Sequence, residues 1–244
     1  KYAGRYLDRA PFNWDTAKLR ANPAQMMQQS QSLTIARVNG PLTLDSPLWN
    51  KVEEHALQAS DAAVSKLQAP TTFRVLCDDA NLYVRMSGEQ PAEQMTFVAR
   101  GHDAELWLQE SIVVNVSPLG DRSRYFYFAY EPEPTSFNEA EHGFLIDPLH
   151  PRYGWNDEGW NGDWSFETKL VPAKKRWESM AAIPFETLRT KPPKIGDTWM
   201  LNVGRVHFLN AEKKKNSREL SAWTGKLNAS HIPGDASLGK AIFK

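Results

Sequence analysis

The chain has one cysteine, Cys77, in 244 residues, so no intramolecular disulfide can form and the fold has to be held by its own core. A chain of this length buries roughly 70–75% of the surface it exposes when unfolded, which is enough for that purpose. Cys77 lies within Phe73-Arg74-Val75-Leu76-Cys77, an apolar setting in which a free thiol is a small buried hydrophobe rather than a nucleophile. Net charge is lacking too: 29 basic side chains balance 29 acidic ones, so no whole-molecule field gathers phosphates or anionic lipid. The longest basic run, Lys213-Lys214-Lys215, has the length of a solvated loop tip, and nucleic acid is excluded as the expected partner. No apolar stretch approaches the ~20 residues that would span a bilayer as a helix. Lys1 stands where an initiating Met would be, so the chain is expected to have lost its natural start, and a removed signal peptide is compatible with that.

The signatures of catalysis are equally scarce. There is no Gly-x-Ser-x-Gly elbow for a nucleophile, no His-Glu-x-x-His or Cys-x-x-Cys for zinc, and no glycine-rich loop before a helix to cradle phosphate. The many carboxylates have no spacing that singles out a hydrolytic pair. The six histidines, at 55, 102, 142, 150, 207 and 231, are scattered. An enzyme is therefore not expected.

What the chain does have is aromatic surface: nine Trp, seven Tyr and eleven Phe. Such flat, stiff side chains serve both large cores and sugar-stacking platforms. They fall among short segments of period-two alternation bounded by Gly, Pro, Asp or Asn, which predict strands at 33–38, 73–77, 82–86, 111–117, 124–131, 164–171, 176–183, 198–208 and 238–243. Asp78-Asp79-Ala80-Asn81 is turn chemistry and predicts a hairpin. Helical signal is thin: two turns over Trp49–Leu57 and one over Pro184–Arg189. The expected fold is all-β, an antiparallel two-sheet β-sandwich of about ten strands with minimal helix. Residues 1–31 are polar and aperiodic and read as a leader or linker packed on a domain of residues 32–244. Thr135–Asp163 reads as one long aromatic loop carrying Tyr153, Trp155 and Trp160.

Five blocks in a fixed order give the sequence a family likeness. These are Asp78-Asp79-Ala80-Asn81-Leu82-Tyr83-Val84; Trp107-Leu108-Gln109-Glu110-Ser111-Ile112; Trp177 through Ile183-Pro184-Phe185; Gly196-Asp197-Thr198-Trp199-Met200-Leu201-Asn202-Val203-Gly204-Arg205; and Ser221-Ala222-Trp223 followed by His231-Ile232-Pro233 and Leu238-Gly239. Together they resemble the family 9 carbohydrate-binding modules and their wider DOMON-like β-sandwich relatives. The resemblance implies a non-catalytic module that binds a polysaccharide or oligosaccharide. It further implies an extracytoplasmic, bacterial setting (secreted, periplasmic or cell-surface) and attachment to a larger glycan-active protein.

In sugar-binding relatives two Trp rings sandwich a terminal sugar while acid, Asn and Arg side chains bond its hydroxyls. Trp107 matches the first ring. Glu110 replaces the family's Asp, Val113 stands where the family has an acid, and His231 takes the place of the second ring. The expected site is therefore Trp107, Glu110, Arg205, Trp223 and His231 on one concave surface, with Tyr125 or Tyr127 nearby. The competing reading is a docking sandwich that has lost its sugar site. Calcium is common in such modules, with Asp78, Asp79 and Asp157 as oxygen ligands, although no loop has a calcium spacing. Read from the residues alone, Trp107 is a stacking ring or a core lid, and Arg205, on one face of its strand with Leu201 and Val203, needs a partner or a ligand. Trp164, Trp177 and Trp199 fall in regular alternation and are assigned to core or sheet surface. Trp155 and Trp160 supply an extra platform or pack the loop down.

Overall fold

The computed structural model describes residues 31–90, 101–106, 109–118, 120, 124–133, 136–143, 156–208, 218–227 and 238–244. Strands dominate. In chain order they are β1 (Ser32–Arg37), β2 (His55–Ala56), β3 (Gln58–Ala59), β4 (Thr71–Cys77), β5 (Asn81–Glu89), β6 (Gly101–His102), β7 (Ser111–Ser117), β8 (Arg124–Tyr130), β9 (Ser136–Gly143), β10 (Asn156–Asp157), β11 (Ser165–Val171), β12 (Arg176–Pro184), β13 (Thr198–Phe208), β14 (Arg218–Ala222) and β15 (Gly239–Phe243).

The all-β expectation holds, but the arrangement is not a pair of separate antiparallel sheets. One mixed, strongly curled sheet runs β10-β9-β8-β7-β13-β15-β1-β4-β5-β12-β11. The stitch is β1, which pairs in parallel with β15 through Ser32–Ile35 and with β4 through Ala36 and Arg37. Parallel pairing needs long-range partners that local alternation does not reveal. The β4–β5 hairpin is as the sequence predicts. Asp78 Oδ1 accepts from the amides of Ala80 (2.7 Å) and Asn81 (2.6 Å), and Oδ2 accepts from the Tyr83 hydroxyl at 2.8 Å.

Other expectations need correcting. The stretch read as a loop from Thr135 contains β9, which pairs with β8 from Arg124↔Gly143 to Tyr130↔Phe137. Its Glu139 and Glu141 fall opposite Phe128 and Phe126, on the inner face, and are buried. Charges on an inward face erase the apolar-in, polar-out signature, and they are tolerated because each is paired: Glu139 with His102, Glu141 with Arg189. The two helical turns over Trp49–Leu57 are absent. A short 3-10 turn at Pro47–Lys51 buries Trp49, and the chain then goes extended at His55–Ala56. Pro184–Arg189 does make a single turn, closed by Leu188 N–H to the Pro184 carbonyl and ended by Arg189 at φ 51°.

The main core draws on both halves of the curl, from Phe73, Val84 and Trp177 on one side to Val114, Phe128 and Val203 on the other. A second cluster around Val113, Tyr125, Tyr127 and Val206 lies on the opposite face of β7, β8 and β13. A third, with Trp49, Leu76, Tyr83 and Met180, backs β4, β5 and β12. Two tryptophans pack so closely across strands that only glycine fits beneath them. A Cβ at Gly88 would lie 2.3 Å from the Trp177 indole, and one at Gly239 would lie 2.5 Å from the Trp223 indole.

Candidate functional site

The start of β7 and the C-terminal part of β13 pair antiparallel, with Arg205 opposite Ile112 and Val206 opposite Ser111. Alternation along β13 puts Leu201, Val203, Arg205 and His207 on one face. Arg205 therefore points inward and is fully buried, as is Glu110 just before β7. A guanidinium in that position requires several acceptors, and it has them. Its Nη1 donates to Thr71 Oγ1 (2.9 Å) and the Ala69 carbonyl (3.3 Å); its Nη2 donates to Gln90 Oε1 (2.5 Å) and Glu110 Oε2 (3.5 Å). The flat of the guanidinium lies 5.1 Å from the centre of the Trp177 ring, a cation–π contact.

Glu110 is held from the other side as well. Its Oε1 accepts from His207 Nδ1 (2.8 Å), the Phe208 amide (2.8 Å) and Gln90 Nε2 (3.1 Å). Burial alone would raise its pKa, but the His207 hydrogen bond, the Arg205 and His207 charges and the Phe208 amide together hold it below the usual carboxylate value. An ionised carboxylate only accepts, so His207 Nδ1 carries the proton in this bond. Burial lowers the Arg205 pKa while Glu110 and Glu219 oppose the shift. Next to Glu110, buried Gln109 donates to Glu131 Oε2 at 2.5 Å. Glu219 accepts from the amides of Gln68 and Ala69, fixing the carbonyl that Arg205 bonds. These contacts pin the segment that starts β7 to the ends of β5 and β13, three residues after Trp107 in sequence.

Of the expected site residues, the structure brings Glu110 and Arg205 together. Trp107 and His231 lie outside the described residues. Trp223 is buried in the main core, its ring 5.9 Å from that of Phe73 and 6.1 Å from that of His55. Tyr125 and Tyr127 point to the opposite face of β8, into the second cluster, and burial raises the pKa of both phenols. They do not share a surface with Arg205. Val113 likewise faces the second cluster.

Sequence reasoning missed Gln90, Thr71 and His207 as partners of the pair. His207 was legible in part, since it sits two residues beyond Arg205 on the same strand face; Gln90 and Thr71 come from another hairpin and left no signal. Trp177 and Trp199 are core residues and Trp164 is partly buried against the core, as alternation indicates. Trp160 packs on Phe126 and Phe128, the platform reading giving way to loop packing, while Trp155 lies outside the described residues. The proposed calcium ligands are engaged elsewhere: Asp78 in its turn, Asp79 with Arg37, and Asp157 Oδ1 with the Gly159 amide. Among the described residues no group of three His, Cys, Asp or Glu side chains is placed to hold a metal ion. No helix among them is long and apolar enough to cross a membrane.

No family model and no curated protein matches the chain. Solved structures do. A presumed carbohydrate-binding protein from Bacteroides uniformis superposes with a TM-score of 0.63 at 17% identity, over 88% of this chain and all of that one. A family 9 carbohydrate-binding module from Caldicellulosiruptor kristjanssonii, in complex with glucose, gives 0.56 at 16% identity, over 88% of this chain and 96% of that one. The cellotriose complex of a family 9 module from the same organism gives 0.53 at 18% identity, over 88% and 94%. At these identities the likeness establishes a shared fold.

Proposed function

We propose that this chain is a non-catalytic carbohydrate-binding module of the family 9 kind, within the wider DOMON-like group, that recognises a polysaccharide or the end of an oligosaccharide. The observation that carries the reading is the fold itself: sugar-binding modules share it over 88% of this chain, two of them in complex with glucose or cellotriose. The buried Glu110–Arg205–His207–Gln90 network supports it by a different route. Stacking platforms work when the backbone beneath them is rigid, and this network clamps Glu110, three residues after Trp107 in sequence. In this reading Trp107 is the stacking ring and the network is its foundation, while the module acts outside the cytoplasm of a bacterium, joined to a glycan-active protein.

Affinity electrophoresis against β-glucans, xylans and algal polysaccharides, beside a glycan array, tests the function. Retention on at least one is expected, and no retention on any would favour a docking sandwich instead. Trp107→Ala tests the site: binding should weaken with the melting temperature nearly unchanged. A core residue would behave in the opposite way, leaving a cavity that costs ~3–5 kcal/mol without altering affinity.

A further inference from the structure

The curled sheet ends on one side at β11, which pairs only with β12 among the described residues. Its other edge pairs with no strand among the described residues. A seven-residue edge strand is a template for another strand, and proteins usually blunt such edges with bulges, prolines, edge lysines or inward-pointing charges. No bulge or proline interrupts Ser165-Phe166-Glu167-Thr168-Lys169-Leu170-Val171, and its two charges, Glu167 and Lys169, lie on the outer face and are of opposite sign. Leu170 is one of only two large hydrophobic side chains classed as exposed among the described residues, at 43%.

The sequence of this edge is complementary to itself. Turned about an axis through Thr168, the strand meets an antiparallel copy with Glu167 opposite Lys169, Phe166 opposite Leu170, and Ser165 opposite Val171. The faces agree as well as the order. Register with β12 puts Phe166 and Leu170 opposite Ala181 and Trp177, on the inner face, and Glu167 and Lys169 opposite Met180 and Glu178, on the outer face. Phe166 already stacks on Tyr130 at 4.8 Å, so the partner's Leu170 would extend an existing apolar layer. Glu167 has no ion pair among the described residues, and Lys169 pairs with Asp45 through a contact in which both side chains are largely exposed.

We propose that β11 is a homodimer interface: two copies of this chain join edge to edge through antiparallel β11 pairing centred on Thr168, making one sheet continuous across the dimer. Symmetry gives each dimer two Glu167–Lys169 pairs, so charge reversal at either position acts twice. The extended pairing in this register distinguishes a second copy from an unrelated peptide, which would have no reason to match both the charge and the apolar positions.

Sedimentation velocity across a concentration series on the 244-residue chain tests this directly. The wild-type chain should dimerise reversibly, and Glu167→Lys and Lys169→Glu should each weaken the dimer by about tenfold or more. Both positions are exposed, so the variants keep the fold. The double reversal Glu167→Lys/Lys169→Glu should restore the dimer. An equimolar mixture of the two single variants should form a heterodimer, because every cross-strand pair then carries opposite charges. A wild-type chain that stays monomeric up to about 1 mM, or a dimer indifferent to the single reversals, would overturn the proposal.

Discussion

Replacing Arg205 by Met keeps most of the stem volume and removes the guanidinium from the buried network. The loss is larger than that of an ordinary hydrogen-bonding residue because Glu110 remains, fully buried, without the Arg205 cation and with only His207 left beside it to oppose its charge. Removing one member of a buried pair costs ~3–5 kcal/mol, whereas an exposed pair is worth ~0–1. For a domain of this size each kcal/mol moves the melting temperature by roughly 2–4 °C, so Arg205→Met should lower it by about 6–20 °C. Adding Glu110→Gln then removes the stranded charge. The double variant should be more stable than the sum of the two single losses predicts, with a coupling of about 0.5–3 kcal/mol.

Acidity supplies an independent check on the same pair. Glu110 is held below its ordinary value of 4.5 in the fold, so its stabilising contribution is full above that value and is lost as pH falls through the lower, folded one. Arg205→Met should therefore differ from wild type most near neutrality and progressively less in acid. Thermal melts by circular dichroism from neutral pH down to about pH 3 read both effects. A melting temperature for Arg205→Met within about 2 °C of wild type, or strict additivity with Glu110→Gln, would refute the account of Arg205 and Glu110 as energetically coupled.

Three further outcomes are expected. Gly88→Ala places a methyl 2.3 Å from the Trp177 indole and 2.8 Å from Arg205 Nη1, and should cost about 1–3 kcal/mol in a denaturant titration; a neutral effect would show that the indole has room to move. Asp78→Ala removes the acceptor for the Ala80 and Asn81 amides and for the Tyr83 hydroxyl, and should destabilise by about 2–3 kcal/mol, with Asp78→Asn milder; a loss under ~0.5 kcal/mol would contradict the hairpin assignment. Cys77 is buried and its thiol is pushed up to about 11 by burial, so it should resist a thiol reagent at neutral pH until the chain is unfolded; fast native labelling would contradict its place in the core.

Strand content was written locally. Period-two alternation between turn residues located β7 and β13 at their observed limits and placed β8, β11, β12 and β15 within a residue of theirs, and Asp78 announced the hairpin through its own two short hydrogen bonds. That information is local because the alternation of side chains and the closing of a turn depend only on neighbouring residues. The same reasoning placed Arg205 among apolar neighbours and so required a partner for it, without naming one.

The partner, the stitch and the missed strand were decided by tertiary structure. Ser32–Ile35 lies beside Lys240–Phe243, some two hundred residues away in the chain, and no periodicity marks which strands will pair in parallel. β9 was invisible because its inward positions carry Glu139 and Glu141, stable there only once His102, Trp164 and Arg189 are brought up from other segments. Glu110 and Arg205 are 95 residues apart, joined by a register that puts the start of β7 beside the end of β13. A buried charge has no meaning to a linear sequence until the fold delivers its counter-charge and its polar partners, and here Glu110 supplies the charge that opposes Arg205 while Thr71 and Gln90, at the open end of the β4–β5 hairpin, supply further acceptors.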